Sequence, residues 1–323
     1  MEVNAVFQGG GVKAIGLAGA VCEAERRKIV FGNMAGTSSG SIIAALLSAG
    51  YTGKEMRKII IETPFTSFLK KSPLFRIKGI GPAARLFIKK GLFSGDLLEM
   101  WIYGLLADRN IRTFGDLPPG KLRIIASDIT DGKLLVLPGD IARYGIDPNR
   151  FTIAKAIRMS TSIPYFFDPV VLRRKFDRRT KPKSFAEQFV YIVDGGILSN
   201  FPLWLFDEEK ERPTLGFQLV GRGKEDETHR IIGPLTMFQA LFSTMMEAHD
   251  ERYIEESNSV RTIKIPSAGV HATQFEIKPE QSLELFEAGV RAADKFFRNF
   301  SLVGYHERFG YPPAAKDKRV IRF

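Results

Sequence analysis

Gly36-Thr37-Ser38-Ser39-Gly40 follows a short apolar stretch and precedes an apolar run suited to a helix. This G-x-S-x-G string has the pattern of a nucleophile elbow, a tight strand-to-helix turn that exposes a serine hydroxyl at the top of a sheet. Glycine at 36 and 40 suits such a turn, because a Cβ at either position would collide with neighbouring backbone. Ser38 would then sit at a helix start, where free backbone N–H groups and the helix dipole favour developing negative charge. Taken alone, the string also fits an ordinary turn or helix cap, where Ser, Thr and Gly cluster. Two distant segments favour the catalytic reading.

The first is Gly9-Gly10-Gly11-Val12-Lys13-Ala14, which follows the apolar run 3–7 and opens the expected helix 12–27. Successive N–H groups in such a turn converge on one anionic oxygen, so it reads as an oxyanion hole. A nucleotide phosphate loop is the rival. A Walker loop needs G-x-x-x-x-G-K-[ST], yet Lys13 is followed by Ala14 and Ile15. A dinucleotide fingerprint needs a third glycine where Ala14 stands, and an acidic residue where this chain has its serine elbow. A glycine-rich turn without a ligand is the remaining alternative.

The second is Asp194-Gly195-Gly196, at the end of the apolar run 189–193 and before Asn200-Phe201-Pro202. It puts a carboxylate at the C-terminal end of a strand, the edge at which open α/β sheets bind ligands. By itself it reads equally well as an Asx turn. No histidine stands out as a partner for the serine. His229 lies in a charged run, His249 on an expected helix at 235–256, and His271 and His306 in loop-like contexts. An aspartate can take the serine proton directly, which makes Ser38 and Asp194 the catalytic pair.

Glycine turn, serine elbow and D-G-G, in that order over about residues 2–202, resemble the patatin-like phospholipase family. The resemblance implies a three-layer α/β/α sandwich with a central, mostly parallel sheet and a Ser/Asp lipid acyl hydrolase. It puts Ser38 in the nucleophile's place and Asp194 in the general base's. Gly10, Gly11 and Val12 take the oxyanion-hole place, Gly9 and Lys13 belong to the same motif, and Gly36, Gly40, Gly195 and Gly196 flank the pair. The block 160–167 is similar to the family's A-S-x-x-x-P-x-x-F region, which makes Ser160 and Pro164 walls of the acyl site. Ala14, where many members carry glycine, and Met159, in place of the usual alanine, depart from the pattern without removing an N–H donor.

Strand signals at 3–7, 34–35, 122–127, 133–137, 189–193, 214–219 and 261–265 alternate with helix signals at 12–27, 39–49, 54–63, 94–106, 153–159, 235–256 and 282–298. Such alternation argues for α/β layering. The 323 residues, 44% of them hydrophobic, contain no repeat and no linker. They read as one catalytic domain over 1–311 with a helical, basic insertion near 64–106, followed by a basic tail at 312–323. A single cysteine, Cys22, and no visible signal peptide imply a cytoplasmic protein, with peripheral association at the inner face of the membrane. No run reaches the ~18 apolar residues of a spanning helix.

The net charge of +11 bears on partners. Lys70, Lys71, Arg76, Lys78, Arg85, Lys89 and Lys90 are interleaved with bulky apolar residues over 64–93 without an acidic residue. That mixture suits an anionic lipid surface, at about 1 kcal/mol per basic residue. A second basic run, from Arg173 to Lys183, precedes the Asp194 strand; it reads as a flank of the active-site mouth or as a solvated face. No helix-turn-helix, zinc spacing or RNP-type motif supports nucleic acid, and no metal or cofactor is implied. The expected activity is hydrolysis of a phospholipid or lysophospholipid ester. An acyltransferase using the same acyl-enzyme, or a non-enzymatic lipid-binding protein of the same fold, is the alternative.

Overall fold

The computed structural model describes residues 1–69, 88–174, 184–221, 231–233, 236–238, 240–242, 244–245, 256–267, 269–270, 274 and 276–310. Its strands are β1 (Glu2–Phe7), β2 (Val30–Thr37), β3 (Gly91–Phe93), β4 (Leu122–Asp128), β5 (Lys133–Leu137), β6 (Tyr165–Phe167), β7 (Val170–Arg173), β8 (Phe189–Asp194), β9 (Thr214–Val220) and β10 (Thr262–Pro266). Its principal helices are α1 (Ile15–Arg26), α2 (Ser39–Ser48), α3 (Gly53–Glu62), α4 (Asp96–Ala107), α5 (Ile153–Ser160), α6 (Pro279–Asn299) and α7 (Leu302–Phe309).

β1 is buried at every residue after Glu2, and β4 at all but Arg123. Continuous burial of this kind marks strands covered on both faces, as in parallel sheets. The strands neighbour one another in the order β10-β9-β1-β2-β4-β8-β7, with β5 also paired to β4. The run from β10 to β4 is parallel throughout, whereas β5, β7 and β8 pair antiparallel. Alternating side chains divide between two layers. Val3, Ala5, Phe7 and Met34 enter the main core beneath α1 and α2, while Val6 and Ala35 meet Phe201, Leu203 and Phe206 on the other face. The mostly parallel, three-layer α/β/α arrangement is the one expected from the sequence.

One detail of pairing controls everything downstream. On β4, Ile124 and Ile125 pair with β2 and β5 together, while Ala126, Ser127 and Asp128 pair with β5 and β8 together. A strand has two edges, so β2 and β8 share the edge opposite β5, one after the other. β2 stops at Thr37 opposite Ile125, and β8, running the other way, stops at Asp194 opposite Ala126.

The expected elements that fall on described residues appear with small shifts at their ends, while most of the expected helix 235–256 lies outside the described residues. β2 extends back to Val30, beyond the expected 34–35, through buried Gly32 and half-buried Asn33, a small and a polar residue that hide its alternation. Strands β3, β6 and β7 and helix α7 were not expected; the strands are three or four residues long and exist through their pairing. Leu98, Ile102 and Leu106 of α4 are buried in the main core. Of the basic run, Lys89 and Lys90 are described and exposed, while Lys70, Lys71, Arg76, Lys78 and Arg85 lie outside the described residues. So do the tail 312–323, most of the second basic run, and His229, His249 and His271.

Helices α1 and α6 touch backbone to backbone. A Cβ on Gly289 would lie 1.9 Å from the Gly16 carbonyl oxygen, and one on Gly19 would lie 1.9 Å from that of Phe286. The Gly289→Ala variant is therefore expected to lower stability by about 1–3 kcal/mol in urea unfolding, the usual cost of overpacking. An unchanged unfolding midpoint would contradict this close crossing.

Candidate active site

The elbow forms where β2 gives way to α2. A Cβ on Gly36 would fall 2.5 Å from the Gly40 carbonyl, and one on Gly40 only 2.3 Å from the Phe7 carbonyl oxygen. Both glycines are therefore required by close approach of backbone, as the string implies. Ser38 itself has φ 51° and ψ −129°. A non-glycine residue in that region is strained and persists only where its surroundings over-determine it. Here the Ser38 N–H donates to Ser160 Oγ at 2.8 Å. The Ser38 carbonyl accepts from Ser41 Oγ at 2.5 Å and from the Ser41 amide at 2.9 Å.

Because β2 and β8 end head to head on one edge of β4, Ser38 and Asp194 meet. The Ser38 hydroxyl donates to Asp194 Oδ2 at 2.6 Å, and the Gly196 amide donates to Oδ1 at 2.8 Å. Asp194 has no solvent exposure. Burial pushes its carboxyl up to about 7, against the opposing pull of the Ser38 and Gly196 hydrogen bonds. Asp194 is the last residue of its strand, as the apolar run 189–193 implied, but that strand is not one of the parallel set. β8 is antiparallel to β4, and its end reaches Ser38 because β2 stops at Ile125 while β4 continues to Asp128.

A single turn after α5 holds both partners. The Ser160 hydroxyl accepts the Ser38 N–H and donates to the Ile125 carbonyl at 2.6 Å. The Ser162 carbonyl accepts the Asp194 N–H at 2.9 Å. The Ser162 hydroxyl donates to the Arg158 carbonyl at 2.6 Å and accepts from the Arg158 guanidinium, which also donates to the Asp168 carbonyl at 2.7 Å. Ser160, expected as a wall of the acyl site, is fully buried and acts instead as a bridge between strand, turn and elbow. Thr161 and Ile163 take the lining positions beside Ser38, and Pro164 lines a different groove.

The glycine turn forms a 3₁₀ segment at Gly11–Ala14. The Gly9 amide donates to the Asn200 carbonyl at 3.2 Å, and Asn200 Nδ2 donates back to the Gly9 carbonyl at 3.4 Å, which ties the turn to the segment after Asp194. The Lys13 amide closes the turn on the Gly10 carbonyl at 3.2 Å. The Gly10 amide, an expected oxyanion donor, is engaged by Ser39 Oγ at 3.1 Å. No acceptor among the described residues takes the amides of Gly11 (φ 57°) or Val12. Both residues line a cavity of about 100 Å³ together with Ser38 and Ser39, and Leu46, Phe68 and Trp101 give it apolar walls.

Sequence reasoning missed Ser39, Ser162, Arg158 and Asn200 as supports of the site. The Ser-Thr-Ser string at 160–162 and the Asn after D-G-G were visible, but their partners lie in distant strands and turns. His306 lies on α7, not in a loop. That helix packs at the start of β9 through the Tyr305 hydroxyl, which accepts the Thr214 N–H, at the opposite end of the parallel strands from Ser38. Among the described residues no group of three or more His, Cys, Asp or Glu side chains is placed to hold a metal ion. No described helix is long and apolar enough to cross a membrane.

Comparison with known proteins agrees with this architecture. The family model of the patatin-like phospholipases matches residues 5–207. "Uncharacterized protein YqhO" of Bacillus subtilis (strain 168) is 41% identical over 301 residues, which is 93% of this chain and 100% of that protein. The "Probable lipid hydrolase 463L" of Invertebrate iridescent virus 6 is 28% identical over 214 residues, 61% of each chain. Among solved structures, VipD from Legionella pneumophila has the same fold, with a TM-score of 0.53 at 16% identity over 91% of this chain and 66% of that one. From the first strand, through the glycine turn and the elbow, to the turn after Asp194, this chain belongs to the patatin-like phospholipase family.

Proposed function

We propose that the chain is a lipid acyl hydrolase of the phospholipase A or lysophospholipase type, cleaving fatty acyl esters through Ser38 and Asp194. The observation that carries this reading is the 2.6 Å hydrogen bond from the Ser38 hydroxyl to a fully buried carboxylate. A base whose pKa is near 7 takes a proton at neutral pH and returns it with little penalty. As Ser38 Oγ attacks the acyl carbonyl carbon, its proton passes to Asp194. The carbonyl oxygen becomes an oxyanion, and the Gly11 and Val12 amides are the donors open to receive it. The start of α2 adds a favourable helix dipole at the same point.

Collapse of this intermediate breaks the ester bond. Asp194 gives its proton to the departing alkoxide oxygen of the lipid, and the acyl group stays on Ser38. Water then attacks the acyl-enzyme with Asp194 again as base; the bond from Ser38 Oγ to the acyl carbon breaks, Asp194 returns the proton to Ser38 Oγ, and the fatty acid leaves. The cavity beside Ser38 offers the cleaved chain apolar walls. The substrate is a phospholipid or lysophospholipid at an anionic membrane surface, a partner that the exposed Lys89 and Lys90 suit by charge. An acceptor alcohol in place of water would make the same acyl-enzyme a transferase; adding one and measuring ester against free acid separates the two.

Ser38→Ala and Asp194→Asn are each expected to lower kcat on p-nitrophenyl butyrate by at least about 10³-fold. Ser38→Ala should also abolish labelling by a fluorophosphonate. Near-full activity in either variant would overturn the pair. In the wild type, kcat/KM should rise with pH, pass half its maximum near pH 7 and level off about one unit higher as Asp194 ionises; a flat profile from pH 5 to 9 would remove Asp194 as the base.

Stability carries a separate signature. The folded pKa of Asp194 lies above its ordinary value, so the folded chain holds this proton more tightly than the unfolded one. Its contribution is full below about pH 4 and is lost as pH rises to about 7. The Asp194→Asn variant should therefore gain stability over the wild type at pH 8 relative to pH 4, read from urea midpoints. A difference independent of pH would contradict the buried, raised carboxyl.

A further inference from the structure

A second, larger groove of about 700 Å³ lies across the β6 segment from the cavity at Ser38. Thr161, Ile163 and Phe167 line the smaller cavity, whereas Pro164 and Tyr165 line the larger groove. Val193 and Ile197, on either side of Asp194, line the larger groove as well. The Ser38–Asp194 pair thus sits where two apolar spaces approach each other. The outer wall of the groove includes Leu241 (57% exposed) and Ile129 (52% exposed), large apolar side chains left open to solvent.

The backbone around this groove is strained. Five described non-glycine residues have positive φ: Lys28, Ser38, Lys90, Asn110 and Tyr165. Of these, Lys90 (φ 62°) and Tyr165 (φ 61°) line the groove. They are brought together because β3 pairs with β6 in a two-stranded ribbon, with Gly91 opposite Tyr165. The Tyr165 ring stands edge-on to Phe238, with centroids 4.6 Å apart, and Lys90 Nζ lies 4.8 Å from the Tyr191 ring centroid. Strain in bulky residues is retained where the position of the side chain matters, and it clusters at ligand sites.

We propose that this groove holds the second, uncleaved acyl chain of a diacyl phospholipid, with Lys90 at its rim toward the phosphate. The proposal rests on the Ser38–Asp194 reading of the first chain. One apolar space beside the nucleophile serves the chain that is cut. A single-chain lipid would leave the larger space to water against apolar walls, whereas a diacyl lipid fills both and removes that surface from solvent. The chemistry of the groove, apolar throughout with an ammonium at one wall, is that of an anionic amphiphile.

The test compares kcat/KM for 1,2-dioleoyl phosphatidylglycerol with that for 1-oleoyl lysophosphatidylglycerol, both in mixed detergent micelles. Leu241→Glu and Ile129→Glu change exposed residues, so at least one variant should fold with a wild-type melting temperature. Each is expected to lower the diacyl-to-lyso ratio by about 10-fold or more. Each should also weaken micellar binding of a non-hydrolysable diether phosphatidylglycerol by a similar factor. An unchanged ratio and unchanged diether binding in a folded variant would overturn the groove assignment. A wild-type chain that binds the diether lipid in a Leu241-dependent way, yet cleaves no ester, would instead overturn the Ser38–Asp194 reading and leave the groove standing.

Discussion

A hydroxyl and a carboxylate 156 residues apart in the chain are held in one short hydrogen bond by the way strands share an edge. β2 and β8 approach each other along the same side of β4 and stop on adjacent residues, Ile125 and Ala126. Neither strand alone places its side chain; the register of both against β4 does. A one-residue slip in either would turn its terminal side chain to the opposite face of the sheet. The turn at Ser160–Ser162 then fixes the remaining freedom, because one of its serines takes the Ser38 amide and the other takes the Asp194 amide. Buried Arg158 braces that turn with neutral partners, and its own guanidinium pKa is lowered by desolvation.

Burial is what gives the carboxylate its chemistry, and it has a cost. Removing Asp194 from water disfavours its charged form, and only the Ser38 hydroxyl and the Gly196 amide compensate. The strained φ of Ser38 is a second cost, held by the close packing of Gly36 and Gly40 against neighbouring backbone. Sites that accept such penalties commonly trade stability for a pre-arranged reactive geometry. The surrounding sheet can bear this load, since β1 and β4 are buried almost throughout and α1 and α6 pack backbone against backbone.

Much of this was legible in the sequence because it is local. G-x-S-x-G, the three glycines at 9–11 and D-G-G each encode a turn, with Gly36, Gly40 and Gly195 demanded by close approach of backbone and Gly11 by its positive φ, and the strands and helices around them follow from apolar runs. What was not legible depends on pairing across the chain. The antiparallel direction of β8 cannot be read from its own apolar run. Neither can the ribbon of β3 and β6, whose strands have three residues each. Ser160 read as a wall through the family resemblance of its block; its bond to the elbow needs Ile125 and Ser38 to be brought to it. The Gly10 amide looked free, and only the folded turn shows Ser39 engaging it.

The most direct measurement is a crystal structure of the chain after reaction with a lipid-like fluorophosphonate. The account requires phosphorus bonded to Ser38 Oγ, and the phosphonyl oxygen within about 3 Å of the Gly11 and Val12 amides. It also requires Asp194 to remain on the side of the leaving group. An adduct on another residue, or a phosphonyl oxygen turned away from both amides, would contradict it.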